Sequence, residues 1–394
     1  MHYKFSSLLI LVIFLFGCDP IPEENNAVQE QINRIKKTVA PDKRVALFAI
    51  EAIKKDGAFV LKGESNLPEG VKTLTNTLID NNISFVDSIT LLPSKELADS
   101  TRAVINISAA NLRSNPKHSA ELATQATLGT PVKVLKKQGD WYYIQTPDNY
   151  LSWVDKGGIT LMNAERFAQW KAQDKVVYTK TYGHAYNAVD EKAVVSDLVA
   201  GNILEFVKLM DGYFVAAYPD GRIALIRANE AESYFGWVKD RMPEPNKLVA
   251  TAKTLMGVPY LWGGTSTKGM DCSGFTKTVY FLNGMVIPRD ASQQVHTGKP
   301  IDSVQDFSTL ERGDLLFFGR RATEDSKEKV VHVGMWIGNN EFIHASDMVR
   351  ISSMDSRADN FDAHNKGRYL RTQRLLKEKD DALVRLAQTP LFKD

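Results

Sequence analysis

The chain has 394 residues, 43% of them hydrophobic and 24% charged, with a formal net charge of +2. These proportions describe globular material long enough for several domains, each with its own core. So small a net charge, with no long Lys/Arg run interleaved with aromatics, argues against a nucleic-acid partner.

Residues 4–18 carry one lysine and then an apolar run that ends in Leu15-Phe16-Gly17-Cys18. That is the layout of an export signal, too short for a comfortable membrane span. Its ending resembles a bacterial lipobox, which implies removal of residues 1–17 and a lipid on the Cys18 thiol. The protein is then expected to be an exported cell-envelope lipoprotein, membrane-anchored and periplasm-facing. An uncleaved signal anchor or a chance cysteine is the alternative. The only other cysteine, Cys272, sits in so different a context that a disulfide is not expected.

Residues 18–43, with Pro20, Pro22, Glu23 and Glu24 ahead of a short amphipathic run, read as a tether. Residues 44–101 read as a small α+β segment: strands near 45–50, 59–62 and 83–89, and a helix over 69–80 with Val71, Leu74, Leu78 and Ile79 on one face. An internal repeat follows. Gly129-Thr-Pro-Val and Trp141 to Asp148 recur as Gly201-Asn-Ile-Leu and Tyr213 to Asp220, without a gap. Alternating apolar residues and Pro-Asp turns predict two small antiparallel barrels, over 102–160 and 175–241. They resemble bacterial SH3-like domains, and Asn111-Leu112-Arg113-Ser114-Asn115-Pro116 is similar to the opening of such domains. Trp141, Tyr143 and Val154 are expected in the core; Tyr150, in a turn, is expected at the surface.

Met242-Pro243-Glu244-Pro245 marks a linker, and a helix capped by Asn246 opens a further domain over 246–376, with 377–394 as a tail. Phe275 to Leu282 predicts a buried helix, which places Cys272 at its start. There the helix dipole favours thiolate. Strands are expected over 313–318, 330–337 and 341–345. A hairpin centred on residue 338 would set His332 opposite His344 on one face of the sheet. One imidazole then serves as base towards Cys272 while the other orients it. Two alternatives stay open. A zinc site of the same three residues lacks the usual spacing and a fourth ligand, and two ordinary sheet histidines beside an inert thiol need no chemistry at all.

Pro259-Tyr260-x-Trp262-Gly263-Gly264, Asp271-Cys272-Ser273-Gly274-Phe275, Pro288-Arg289-Asp290, Gly313-Asp314-Leu315, His332-Val333-Gly334 and Phe342-Ile343-His344-Ala345 together resemble the NlpC-type papain-like cysteine endopeptidases of peptidoglycan. The resemblance implies an α+β fold: a cysteine-bearing helix packed on an antiparallel sheet that carries the histidines, preceded by the two SH3-like barrels. It also implies cleavage after γ-D-glutamate in cell-wall peptides with a free N-terminal L-alanine, a recycling activity that needs no cofactor or metal. Cys272 would be the nucleophile, His332 the base and His344 its orienting partner. Asp271 would hold the substrate ammonium. Tyr260, Trp262, Ser273, Glu121 and Tyr150 would wall the pocket, with Ser292 as the serine after Arg289-Asp290, since 291 is Ala. A lipid-anchored wall-binding protein with an idle thiol and an acyltransferase on the same fold remain the competing functions.

Overall fold

The computed structural model describes residues 23–388 except 57 and 191, so Cys18 and the export signal lie outside the described residues. The chain forms two compact units. One comprises residues up to 41 together with 48–90, and the other 42–47 together with everything from 91 onward.

In the first unit a three-stranded sheet, in the order 48–55, 58–65, 85–91, is accompanied by two helices, Glu23–Val39 and Pro68–Asp80. The tether expected over 18–43 is corrected here: over 23–39 it is a helix. Val28, Ile32 and Ile35 recur at helical spacing and are buried, so its apolar stripe is packed rather than solvated.

The second unit opens with two seven-stranded sheets of one design. Strands Pro131–Gln138, Trp141–Gln145 and Leu151–Asp155 of the first match Ile203–Met210, Tyr213–Ala217 and Ile223–Arg227 of the second, each 72 positions later. The strand orders of the two sheets correspond throughout. Gly129 and Gly201 hold the same left-handed conformation, φ 83° and 86°, before the first strand of each trio. Trp141 and Val154 are buried as expected, whereas Tyr142 rather than Tyr143 enters the first core.

Helix Pro245–Thr254 begins the last part. Glu244 is its N-cap and Pro245 its first residue, where a missing N–H costs nothing, so Asn246 is not the cap. Helix Cys272–Phe281 packs on a six-stranded antiparallel sheet in the order 299–302, 369–374, 315–320, 329–338, 341–346, 348–353. Phe275, Val279, Leu315, Phe317, Val333, Met335 and Ile343 close the core between helix and sheet. Alternate residues of the same strands, Leu316, Phe318, Trp336, Phe342 and Tyr369, form a second cluster. The expected tail is partly core: Val384–Arg385 pairs with Met285–Val286, and Leu386 is buried.

Candidate active site

Asp271 caps the cysteine-bearing helix, one carboxylate oxygen accepting from Gly274 N at 2.7 Å. Gly274 has no room for a side chain, since a Cβ would sit 1.9 Å from Gly264 O. Cys272 therefore holds the first helical position, where its own N–H has no intrahelical acceptor. The expected thiolate is not what the surroundings favour. Burial, and then the adjacent Asp271 carboxylate, push the thiol up to about 12; the N–H groups of Val333 and Ser273 and the Arg289 charge pull only partly the other way.

The hairpin places the imidazoles. Asn339 and Asn340 both adopt positive φ, 54° and 59°, and form a two-residue turn between Gly338 and Glu341. The register pairs Met335 with Ile343 and Trp336 with Phe342, with an irregularity before Gly338. His344 thus comes to lie by Gly334, and His332 sits diagonally from it instead of directly opposite. The rings still meet, His332 Nε2 to His344 Nδ1 at 2.7 Å, because the shift preserved the side-chain alternation. His344 Nε2 in turn meets Ser352 Oγ at 3.0 Å. His332 is held well below the ordinary histidine value by burial, then by His344 and nearby cations. Burial likewise brings His344 down to about 4. The Val333 N–H, next in the chain to His332, acts on the Cys272 thiol and so links it to the histidine-bearing strand.

The other predicted residues divide into two groups. Asp271 is 6% exposed and its oxygens are occupied: Gly263 N and Gly274 N donate to them, and Arg289 grips both at 3.1 and 2.6 Å. Ser273 Oγ donates to Asp271 and accepts from Arg289 Nη1. The expectation of an Asp271 carboxylate open to a substrate ammonium is thereby corrected; it serves the helix start and the ion pair. Tyr150 is buried rather than exposed, its hydroxyl donating to Asp290 at 3.1 Å. Ser292 accepts from Arg44, which also pairs with Asp290. Exposed Trp262 donates from its indole N–H to exposed Glu121 at 2.8 Å, joining the first barrel to the cysteine's neighbourhood. Tyr260, half-buried, has its hydroxyl pKa raised by burial and by the proximity of Cys272 and Asp271.

Comparison with known proteins places this arrangement. The NlpC/P60 family profile matches residues 257–364, and the bacterial SH3 domain profile matches 108–160. A gamma-D-glutamyl-L-lysine dipeptidyl-peptidase of Bacillus cereus is 33% identical over 233 residues, 57% of this chain and 67% of that protein. The chain belongs to the NlpC/P60 family. A Bacillus subtilis protein of the same name is 30% identical over 57% of this chain and 72% of its own length. A crystal structure of an NlpC/P60 family protein from Bacillus cereus is similar with a TM-score of 0.60 at 28% identity, covering 70% of this chain and 99% of that one.

Three members of this NlpC/P60 site escaped sequence reasoning. Arg289, only 1% exposed and noted in the sequence only as part of Pro288-Arg289-Asp290, organises Asp271, Ser273 and, through Nε, Thr124 of the first barrel. Asp290 joins Tyr150 to Arg44. Ser352 had one signal: it shares the alternation of the strand paired to His344. Among the described residues no His/Cys/Asp/Glu group is arranged to hold a metal ion.

Proposed function

We propose that the protein hydrolyses the bond between γ-D-glutamate and an L-diamino acid in peptidoglycan-derived peptides that begin with a free L-alanine. The observation that carries this reading is the thiol at the first position of a capped helix, acted on by the backbone N–H of Val333, whose chain neighbour His332 begins a His332–His344–Ser352 relay. The names of the relatives support the substrate class.

The relay fixes the tautomers the reaction needs. With His332 Nε2 engaged by His344, Nδ1 is the nitrogen left to accept the thiol proton. Neutral His332 then carries its proton on Nε2 and donates to His344 Nδ1, and His344 donates from Nε2 to Ser352. The free protein holds a neutral thiol and a neutral imidazole, so proton transfer accompanies attack. Cys272 Sγ adds to the γ-carbonyl carbon as its proton passes to His332, and the carbonyl electrons move onto oxygen, towards the unpaired Cys272 N–H. Collapse breaks the C–N bond, the departing amine takes the proton from His332, and a thioester remains. Water, deprotonated by His332, releases L-alanyl-D-glutamate and restores the thiol.

The ammonium of L-alanine falls to Glu121, the exposed carboxylate beside Trp262, now that Asp271 is committed to Arg289. Incubation with L-alanyl-γ-D-glutamyl-L-lysine is expected to yield L-alanyl-D-glutamate and lysine by mass spectrometry. Acetylation of the peptide's N-terminus should cut the rate sharply. Unchanged turnover in Cys272→Ala would remove the assignment.

A further inference from the structure

The cations that act on the thiol or on the imidazoles differ in how they are used. Arg289 is buried and paired with Asp271, and Arg350 is exposed with Asp347 3.8 Å away. Arg368 is half-buried, and among the described residues it has no carboxylate within ion-pair distance. It stands just before the strand Tyr369–Arg374, its carbonyl accepting from Gly319 N at 2.8 Å. The register runs from His332 to Phe318 to Tyr369 across three neighbouring strands. Arg368 is therefore about 10 Å from the base along the hydrogen-bonding direction, within reach of a substrate lying between them.

Its guanidinium is held from behind. Nε donates to Asn365 Oδ1 at 2.9 Å, and Asn365, 3% exposed, donates from Nδ2 to Asp362 at 2.6 Å and from its backbone N at 2.9 Å. Asp362, the acid whose charge Arg368 feels most, thus has both oxygens engaged by Asn365. The two outer amino groups, Nη1 and Nη2, have no hydrogen bond to any described residue. Both imidazoles feel the Arg368 charge, and Arg368 feels the thiol. Partial burial of an unpaired cation is a cost that the free protein does not recover. A planar anion meeting the fork with two oxygens would recover it.

We propose that Arg368 binds the α-carboxylate of the diamino acid released in the reaction, so that peptides ending at that residue are preferred over amidated or longer ones. The proposal rests on the hydrolase reading above. His332 must hand its proton to the leaving amine, so the departing residue lies on the histidine side, and its carboxylate carbon is two bonds from that nitrogen. The acyl side is bounded instead by Trp262, Glu121 and the Arg289–Asp271 pair.

Three substrates test it: L-alanyl-γ-D-glutamyl-L-lysine, its C-terminal carboxamide, and the analogue with D-isoglutamine, whose amide replaces the glutamate carboxylate. In the wild type, kcat/KM for the first over the second is expected to be roughly 10- to 100-fold, carried mainly by KM. Arg368→Ala should bring that ratio close to one, and Arg368→Lys should keep part of it. The ratio does not depend on how much of a variant is folded. Equal wild-type rates on the first two peptides, or a preference that survives in Arg368→Ala, would overturn the proposal. So would loss of discrimination against the isoglutamine peptide alone, which would put the glutamate carboxylate on Arg368. Failure of the wild type to cleave any of the three would instead bring down the hydrolase reading, and this subsite with it.

Discussion

Burial governs Cys272, His332 and His344 at the scale of single residues. The helix dipole is worth about 0.3–1 kcal/mol, less than the 1.36 kcal/mol of one pKa unit, whereas burial can move a group by roughly 3–5 units. Position alone therefore suggested a thiolate at Cys272, and its buried surroundings reverse that. The same force keeps both imidazoles neutral into acid, His344 down to about 4. The acid limb of kcat/KM should accordingly lie well below pH 6.5, with activity essentially retained at pH 6; a limb at 6.5 or above in a pH–rate profile would contradict it. Stability behaves in parallel. Unfolded imidazoles take up protons below the ordinary value of about 6.5 while the folded ones resist, so stability present above that pH is lost as it falls towards the folded values. The placement of Cys272 at a helix start and of His332 and His344 on one face was legible because a helix start and a two-residue alternation are local properties. The commitment of Asp271 was not, because its partner Arg289 is buried by tertiary packing that no spacing reports.

The histidine-bearing hairpin shows what an element's register does and does not reveal. Alternation put both imidazoles on one face. The exact pairing depended on the turn at Asn339-Asn340 and on the irregularity before Gly338, which together leave the register two from that of a hairpin centred on residue 338 and keep the face. The shift makes Gly334 indispensable: a Cβ there would meet the Phe342 ring at 2.6 Å and His344 Cβ at 3.2 Å. Gly334→Ala is expected to cost about 1–3 kcal/mol in a denaturant titration through overpacking. It should also lower kcat by roughly tenfold, as a ring displaced by a fraction of an ångström spoils the proton path. Gly236, inside the helix Tyr234–Asp240 with its nearest neighbour at 4.0 Å, provides the contrast. Gly236→Ala should be neutral or stabilising by up to about 1 kcal/mol. A Gly334→Ala protein as stable and active as wild type would mean that the hairpin does not pin His344. The helix at Glu23–Val39 teaches a related lesson. Its polar composition suggested a tether, but the spacing of Val28, Ile32 and Ile35 already described a buried stripe.

Across the whole second unit, the first barrel and the cysteine-bearing part are one packed body, which a sequence shows poorly because the partners stand far apart in the chain. Gln125 Oε1 accepts from Thr265 N and Ser266 Oγ, and Gly263 passes so close to Leu122 O that a Cβ would lie 2.2 Å from it. Lys277, on the cysteine-bearing helix, reaches Asp148 at the Pro-Asp turn of the barrel, with side chains only 16% and 9% exposed. Burial holds the lysine pKa down while the ion pair holds the Asp148 carboxyl below its usual range. Removing one partner strands a buried charge, so Asp148→Ala is expected to destabilise by about 3–5 kcal/mol. Replacing both with apolar groups of similar size, Asp148→Leu with Lys277→Met, should recover most of that loss, because the desolvation cost disappears along with the attraction. The decisive comparison is the unfolding midpoint of the double variant against Asp148→Ala. If the double is the less stable of the two, the pair contributes more than its desolvation cost, and the barrel is held to the helix by charge. Recovery would mean that apolar packing and the hydrogen bonds of Gln125 hold the two together, with the ion pair fixing how the barrel docks and hence where Glu121 stands beside Trp262.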